Sequence, residues 1–289
     1  MIDVPSTNGV LAKAYDFGGN GRPFVLGHAT GLHAHMYAPL LEVLRQQFHC
    51  YAVEVRGQGA ATIPIDGNFS WAGITEDFVR GLVALNLSGR GDVLGMGHSQ
   101  GGYSVLSAAL ALPGTFAGLF CFEAIVFPPE FDQGQGDSGM ATNARKRREV
   151  FPSKQAAYDN YKAKLPFSSI DDECLRAYVE YGFDDNLEHD HSDGTTSSVR
   201  LRCRANSEAE LFSNARTGLF SRLPEIECPT AIGYSDFSGE HFKLAAVKQA
   251  EELPKGTLHR FAGRSHFGPF ERSVEFANDA INLFHTMVP

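Results

Sequence analysis

The chain has 289 residues, of which 43% are hydrophobic and 20% charged, a composition that predicts one large globular α/β domain. Its formal net charge of -9 argues against a nucleic-acid partner or an anionic membrane surface, and no apolar run approaches the roughly 20 residues of a spanning helix. The five cysteines show no metal-ligand spacing, and the N-terminal residues lack the pattern of a secretory signal. We therefore expect a cytoplasmic protein with reduced cysteines, no metal and no cofactor.

Short apolar runs alternate with helical patterns in the first 126 residues. Strand-like runs lie at 23–29, 49–57, 91–97 and 116–123, and helical spacing lies between them at 40–48, 75–87 and 101–113. Buried strands separated by helices predict a mostly parallel central sheet flanked by helices on both faces.

The alternation is interrupted after residue 126 and resumes after residue 215. The intervening segment is polar and mainly helical, with helix candidates at 143–150, 153–164, 171–182 and 207–220. Strand and helix patterns return at 228–236, 240–253 and 256–266, followed by a closing helix. Long insertions in compact domains are usually functional. We therefore predict a core of residues 1–126 and 216–289 and an inserted helical lid of residues 127–215.

Ser99 is the candidate nucleophile. It lies in Gly97-His98-Ser99-Gln100-Gly101, between a predicted strand and a predicted helix. A sharp strand-to-helix turn strains the backbone of the serine, and glycines two residues to either side allow the turn to close. The following helix aims its first N–H groups at the serine oxygen. The pattern indicates a nucleophile elbow, with an ordinary Gly-rich turn as the alternative.

A serine hydroxyl needs a base to take its proton, and His266 is the candidate because it follows the last strand-like run. The alternative is a capped loop histidine.

Two carboxylates are candidates for the group that orients His266. Glu123 ends an otherwise apolar strand, where a buried acid needs a partner. Asp236 ends the run at 228–236, in a loop rich in serine and glycine.

Four motifs together resemble the α/β-hydrolase superfamily over nearly the whole chain outside the predicted lid: GHSQGG at 97–102, GHATG at 27–31, VRGQG at 55–59 and GRSHFGP at 263–269. The resemblance implies an oxyanion hole built from the backbone N–H of Gln100 and that of Ala29 or Thr30. It also implies the chain order serine, acid, histidine.

The resemblance leaves two positions for the acid. We favour Asp236, because most of the superfamily carries its acid after the seventh strand. Glu123 stays open, because its continuation EAIVFPP is similar to haloalkane dehalogenases and lactonases, which take the acid from after the sixth strand.

Ser99 also narrows the reaction that the resemblance implies. Haloalkane dehalogenases and epoxide hydrolases of this architecture have an aspartate at the elbow, so those reactions are disfavoured. Hydrolysis of a carboxylic ester, thioester or lactone through an acyl-enzyme is the expected activity. The alternatives are C–C bond hydrolysis of diketone-like ring-cleavage products and a hydrolase-fold protein that binds a ligand without turnover.

The remaining expectations concern binding. A small-molecule substrate is expected to contact side chains near the elbow and in the lid: His28, Phe127, Phe131, Phe151 and Tyr158. The pairs His33/His35 and His189/His191 are weighed as metal ligands and set aside, because no further ligand lies at metal spacing. The basic stretch at 144–149 reads as a solvated helix face. Whether the chain forms a homo-oligomer stays open.

Overall fold

The computed structural model describes residues 1–131, 139–185, 198–215 and 218–289. The first part of the chain alternates strands and helices. Its elements are β1 (Ile2–Pro5), β2 (Leu11–Gly18), β3 (Arg22–Gly27), α1 (Ala38–Leu44), β4 (Phe48–Glu54), α2 (Trp71–Ala84), β5 (Val93–His98), α3 (Gln100–Ala111) and β6 (Phe116–Phe122). Helix α2 begins earlier than the pattern predicts, because the Ser70 side chain caps it by accepting the Gly73 N–H at 3.3 Å.

The segment after β6 contains helices and one small sheet. Its elements are α4 (Gly139–Arg145), β7 (Val150–Phe151), α5 (Lys154–Lys162), α6 (Asp172–Gly182), β8 (Phe183–Asp185), β9 (Val199–Leu201) and α7 (Ala205–Ser213). Strand β9 pairs antiparallel with both β7 and β8. The described part of this segment thus adds a small sheet to the helices that the pattern predicts, and strands of two or three residues are too short to show an alternating pattern in the sequence. His189 and His191 lie outside the described residues.

Strand–helix alternation then resumes. The elements are β10 (Thr230–Ser235), α8 (Glu240–Glu252), β11 (Gly256–Phe261), α9 (Gly268–Glu271) and α10 (Ser273–Met287). The central eight-stranded sheet has the order β1-β2-β4-β3-β5-β6-β10-β11. Its first two pairs are antiparallel, and all later pairs are parallel. The carboxyl ends of the parallel strands therefore share one edge, where ligands bind in sheets of this kind.

Apolar side chains fill the layers on both faces of the sheet. One layer contains Phe24, Phe120 and Phe276 of α10, and the other contains Val25 and Phe78 of α2. Strand β5 is buried at every residue, as a parallel strand covered by helices on both faces must be. Within the described ranges, no helix is long and apolar enough to cross a membrane.

Candidate active site

Ser99 occupies the sharp turn between β5 and α3. Its backbone φ of 57° and ψ of -118° lie in a region that residues with a side chain rarely adopt. The turn closes only because its flanking residues lack side chains. A Cβ at Gly101 would lie 1.9 Å from the carbonyl oxygen of Gly27, and one at Gly97 would lie 2.2 Å from that of Gly101. The strained turn therefore holds the serine at the start of α3.

Glu123, the residue after β6, is the carboxylate next to His266. Its Oε2 lies 2.5 Å from Nδ1 of His266. Ser235 donates its N–H and its hydroxyl to Oε1 at 2.9 and 2.5 Å, and the Ser238 hydroxyl donates to Oε2 at 2.8 Å. Burial alone would raise the pKa of Glu123, but the hydrogen bond and charge of His266, with the two serine hydroxyls, hold it below its ordinary value. Glu123 is thus an ionised acceptor for the Nδ1–H of His266.

His266 is hydrogen-bonded to Glu123, whereas Asp236 bonds other groups, so the preference for Asp236 over Glu123 is corrected. The Asp236 carboxylate pairs with Arg260 at 2.6 and 3.0 Å and accepts the Gly263 N–H at 3.0 Å. These partners hold the pKa of Asp236 at about 2. Side chains alternate along a strand, so Ser235 and Asp236 leave β10 on opposite sides. Ser235 is the residue that faces Glu123.

Backbone contacts and ring packing bring the three residues to the same edge of the sheet. The Ser99 N–H donates to the Phe122 carbonyl at 2.9 Å, one residue before Glu123. The His266 ring lies between two other rings, with centroid distances of 4.8 Å to His98 and 4.9 Å to Phe242. The serine, the acid and the histidine thus follow the carboxyl ends of β5, β6 and β11.

The loop after β3, residues 28–33, lies beside the start of α3. The Thr30 hydroxyl donates to Oε1 of Gln100 at 2.7 Å, and the Gln58 side-chain amide donates to the same oxygen at 3.3 Å. Among the described residues, the backbone N–H groups of Thr30 and Gln100 have no acceptor, so both are available to an oxyanion. The Ala29 N–H is not available, because it donates to the Tyr37 hydroxyl at 3.0 Å. The expectation that Ala29 contributes a donor is corrected.

Sequence reasoning missed Tyr37. Its hydroxyl accepts from the Ala29 N–H at 3.0 Å and hydrogen-bonds Nδ1 of His98 at 2.8 Å. Burial, together with the nearby His266, lowers the pKa of His98 well below its ordinary value, so this bond is one between two neutral groups. Tyr37 therefore joins the loop after β3 to the strand that carries Ser99. Nothing in the local sequence pattern marks Tyr37 for this position.

Two of the predicted substrate contacts lie at the start of the inserted segment. The Phe127 ring is 5.9 Å from Phe242, which packs on His266, so Phe127 belongs to an apolar wall beside the histidine. Phe131 is half-buried in the 3-10 turn Pro129–Phe131.

The other three predicted contacts are corrected, because His28 and Phe151 are buried and Tyr158 lies on the surface of the inserted segment. His28 is 3% exposed and donates from Nδ1 to the Ala29 carbonyl, and burial lowers its pKa to about 4. Phe151 is 1% exposed and packs 5.7 Å from Phe183 inside the inserted segment. The Tyr158 hydroxyl bonds Asp172, and the Tyr158 ring lines a surface cavity of about 400 Å³ on the same segment.

The inserted segment contacts the loop after β3 through Glu208, which forms an ion pair within the segment. Arg147 of the basic stretch pairs with Glu208 of α7 and donates to the Tyr178 hydroxyl at 2.6 Å. Glu208 approaches Gly31 so closely that a Cβ there would lie 2.3 Å from its carboxylate. The expectation that the basic stretch is a solvated face is therefore wrong at Arg147, whose side chain is only 20% exposed.

A mostly parallel sheet with helices on both faces and a serine at a strand-to-helix turn is the architecture of α/β-hydrolases. The chain belongs to the alpha/beta hydrolase family, whose model matches residues 24–280. The protein is therefore a hydrolase. No curated protein matches the chain.

Solved structures with the same fold are distant in sequence. The chain is 18% identical to E-2-(acetamidomethylene)succinate hydrolase, with a TM-score of 0.76 and coverage of 98% of this chain and 99% of that chain. It is 18% identical to an esterase from Thermogutta terrifontis, with a TM-score of 0.71 and coverage of 100% and 99%. It is 16% identical to an enol-lactonase from Burkholderia xenovorans LB400, with a TM-score of 0.69 and coverage of 98% and 100%. At such identities the likeness shows the fold alone.

Proposed function

We propose that the protein hydrolyses a carboxylic ester, thioester or lactone through an acyl-enzyme formed on Ser99. One observation carries this proposal: the Nδ1 of His266 lies 2.5 Å from the buried carboxylate of Glu123. With its Nδ1–H held by Glu123, His266 presents an unprotonated Nε2, the nitrogen that a general base needs. The strained position of Ser99 at the start of α3 supports the role of nucleophile.

In this mechanism the Ser99 oxygen attacks the substrate carbonyl carbon while Nε2 of His266 takes the hydroxyl proton. The negative charge that develops on the carbonyl oxygen is stabilised by the N–H groups of Thr30 and Gln100. His266 then protonates the leaving alcohol or thiol, and Glu123 stabilises the intermediate imidazolium. A water molecule, activated by His266, hydrolyses the acyl-enzyme and restores Ser99.

The surroundings of Ser99 support a small substrate. Ser99 is 6% exposed, so a substrate must be enclosed for its carbonyl to reach the hydroxyl. We propose that the inserted segment acts as the lid that encloses it. The rings of Phe127 and Phe242 offer an apolar wall next to His266 for the acyl or alcohol part.

Covalent labelling tests the proposal without knowledge of the substrate. A fluorophosphonate probe should add one adduct to the wild type at Ser99, and Ser99→Ala should take none. Ser104→Ala is the matched control, because Ser104 is a buried serine one turn further along α3. A folded wild type that takes no label, or a Ser99→Ala variant that is labelled equally, would overturn the proposal. A panel of aryl esters, thioesters, lactones and ring-cleavage diketones then separates ester chemistry from C–C hydrolysis.

A further inference from the structure

Three side chains with metal-ligand chemistry converge where the loop after β3 meets the end of β4. One nitrogen from each of His33 and His35 and one carboxylate oxygen of Glu54 lie within 4.8 Å of one another. Ligands bound to one zinc ion at ~2.0–2.2 Å lie about 3–4 Å apart, so shifts of about an ångström suffice to place all three around one ion. The spacing of the two histidines did not reveal this cluster, because the third ligand comes from the next strand.

His33 is prepared for ligation by its hydrogen bonding. It is 2% exposed, and its Nε2 lies 3.1 Å from the carbonyl oxygen of Tyr178. A carbonyl can only accept, so Nε2 carries the proton and Nδ1 carries a lone pair. Throughout the described part of the chain, this buried Nδ1 has no hydrogen-bond partner. An imidazole whose N–H is held by a backbone carbonyl, with its other nitrogen free, is the form in which histidine binds metals.

Glu54 is a buried carboxylate whose direct hydrogen-bond donors are uncharged, and the charge of Arg202, which pairs with Asp184, acts on it without an ion pair. Glu54 is 1% exposed, and among the described residues it forms no ion pair. The Ala34 N–H donates to Oε1 at 3.0 Å, and the Tyr15 hydroxyl and the Ala60 N–H donate to Oε2 at 3.0 and 2.8 Å. Oε1 keeps a lone pair for a cation, whose charge would offset the cost of burying the carboxylate.

His35 supplies the second nitrogen and an entry path. Its half-buried ring stacks on Tyr181 at 4.0 Å and meets Tyr15 edge-on at 4.7 Å. Because His35 is partly exposed, an ion can reach the cluster and keep a water molecule as a further ligand.

We propose that His33, His35 and Glu54 bind a divalent transition-metal ion, with zinc the best match. Two imidazoles and one carboxylate form a donor set that zinc accepts, whereas magnesium and calcium prefer oxygen ligands alone. The ligands are Nδ1 of His33, a ring nitrogen of His35 and Oε1 of Glu54. This site is separate from Ser99 and takes no part in the proposed hydrolysis.

The bound ion would join three parts of the fold. It would tie β4 to the 3-10 turn Ala34–Tyr37, and through the bond between His33 and the Tyr178 carbonyl to α6 of the inserted segment. The same turn carries Tyr37, which bonds both Ala29 and His98. The ion would therefore stabilise the turn that supports the loop after β3.

Zinc binding to the full-length protein tests the site directly. After treatment with a chelator and dialysis, the wild type should bind one Zn²⁺ per chain by titration calorimetry, and Co²⁺ should give visible absorption bands that Zn²⁺ abolishes. His35→Ala and Glu54→Gln should each weaken Zn²⁺ binding by at least about 10–100-fold. His49→Ala is the matched control, because His49 is a partly exposed histidine that pairs with Asp16, and it should bind as the wild type does.

A thermal measurement gives a second readout that does not depend on activity. Added Zn²⁺ should raise the Tm of the wild type and of His49→Ala but not that of His35→Ala, since only ligand bound to the folded state stabilises it. His35 is half-buried, so His35→Ala should fold, and far-UV circular dichroism checks this. The proposal is overturned if the wild type binds no stoichiometric Zn²⁺, or if His35→Ala and Glu54→Gln bind it as tightly as the wild type.

Discussion

Replacing Glu123 by Gln should reverse the protonation of His266 while nearly all atoms of the site stay in place. Ser235 sets the orientation of the new amide, because its N–H and hydroxyl both donate to Oε1, at 2.9 and 2.5 Å. The amide oxygen therefore takes the Oε1 position, and the NH₂ group takes the Oε2 position, 2.5 Å from Nδ1 of His266. An NH₂ group only donates, so Nδ1 must accept and the ring proton moves to Nε2. The nitrogen that should receive the Ser99 proton is then blocked.

The expected loss follows from this inverted tautomer. The corresponding carboxylate-to-amide change in a Ser-His-Asp triad lowers kcat by about 10⁴, or about 5.4 kcal/mol of transition-state stabilisation. We expect Glu123→Gln to slow fluorophosphonate labelling and ester hydrolysis by the same order. Asp236→Asn is the matched control. It weakens an exposed ion pair with Arg260, and the amide oxygen can still accept the Gly263 N–H, so its rates should change by less than about fivefold.

The assay is the second-order rate constant of labelling, followed by intact-protein mass spectrometry, with circular dichroism to show that each variant is folded. The labelling rate isolates the attack of Ser99 and needs no natural substrate. The reasoning is refuted if Asp236→Asn loses as much as Glu123→Gln. It is also refuted if a folded Glu123→Gln stays within tenfold of the wild type.

Three further substitutions test the packing around the site. Gly101→Ala places a methyl group 1.9 Å from the carbonyl oxygen of Gly27 and should lower the free energy of unfolding by about 1–3 kcal/mol or more. Urea titration measures this, and an unchanged midpoint of urea unfolding would contradict it. Asp77→Ala leaves the fully buried Arg56 without its ion-pair partner and should lower the free energy of unfolding by about 3–5 kcal/mol. A loss below about 1 kcal/mol would show that water reaches the guanidinium. Burial lowers the pKa of His28 from 6.5 to about 4. As the pH decreases below 6.5, the unfolded chain therefore binds a proton at His28 that the folded chain does not yet bind, and the free energy of unfolding falls. This histidine alone should account for about 2 kcal/mol of the stability lost between pH 8 and pH 5, and His28→Gln should lack that part; equal pH dependence in both proteins would contradict the assignment.

The sequence was sufficient for features that depend on local geometry. The turn at Ser99 needs a glycine on each side for steric reasons, and both glycines lie within two residues of Ser99 in the sequence. The alternation of buried strands and helices depends on residue periodicity, and it predicts the mostly parallel sheet. Both features were therefore accessible without knowledge of distant contacts.

The choice of acid was only partly accessible in this way. The apolar strand before Glu123 indicated a buried acid with a partner, but the choice also depends on which residue at the end of β10 faces Glu123. Ser235 and Asp236 are adjacent, and the sequence does not show where the strand ends or which of the two residues faces inward. The same limit applies to Ala29, whose N–H is occupied by the distant Tyr37, and to Glu54, which meets two histidines from another loop. Each of these relations comes from the packing of separate elements.

The loop after β3 depends on the inserted segment as well as on the core. Gln100 accepts from the Thr30 hydroxyl at 2.7 Å, and Gln58 accepts from the Gly31 N–H at 2.8 Å. Two core side chains therefore bind this loop. Glu208, paired with Arg147, packs against Gly31 from the inserted segment. The backbone N–H of Thr30, the proposed oxyanion donor, therefore lies in a loop that contacts both the core and the inserted segment. Because an oxyanion donor acts on the transition state, substitutions at Glu208 should lower kcat and not merely raise KM.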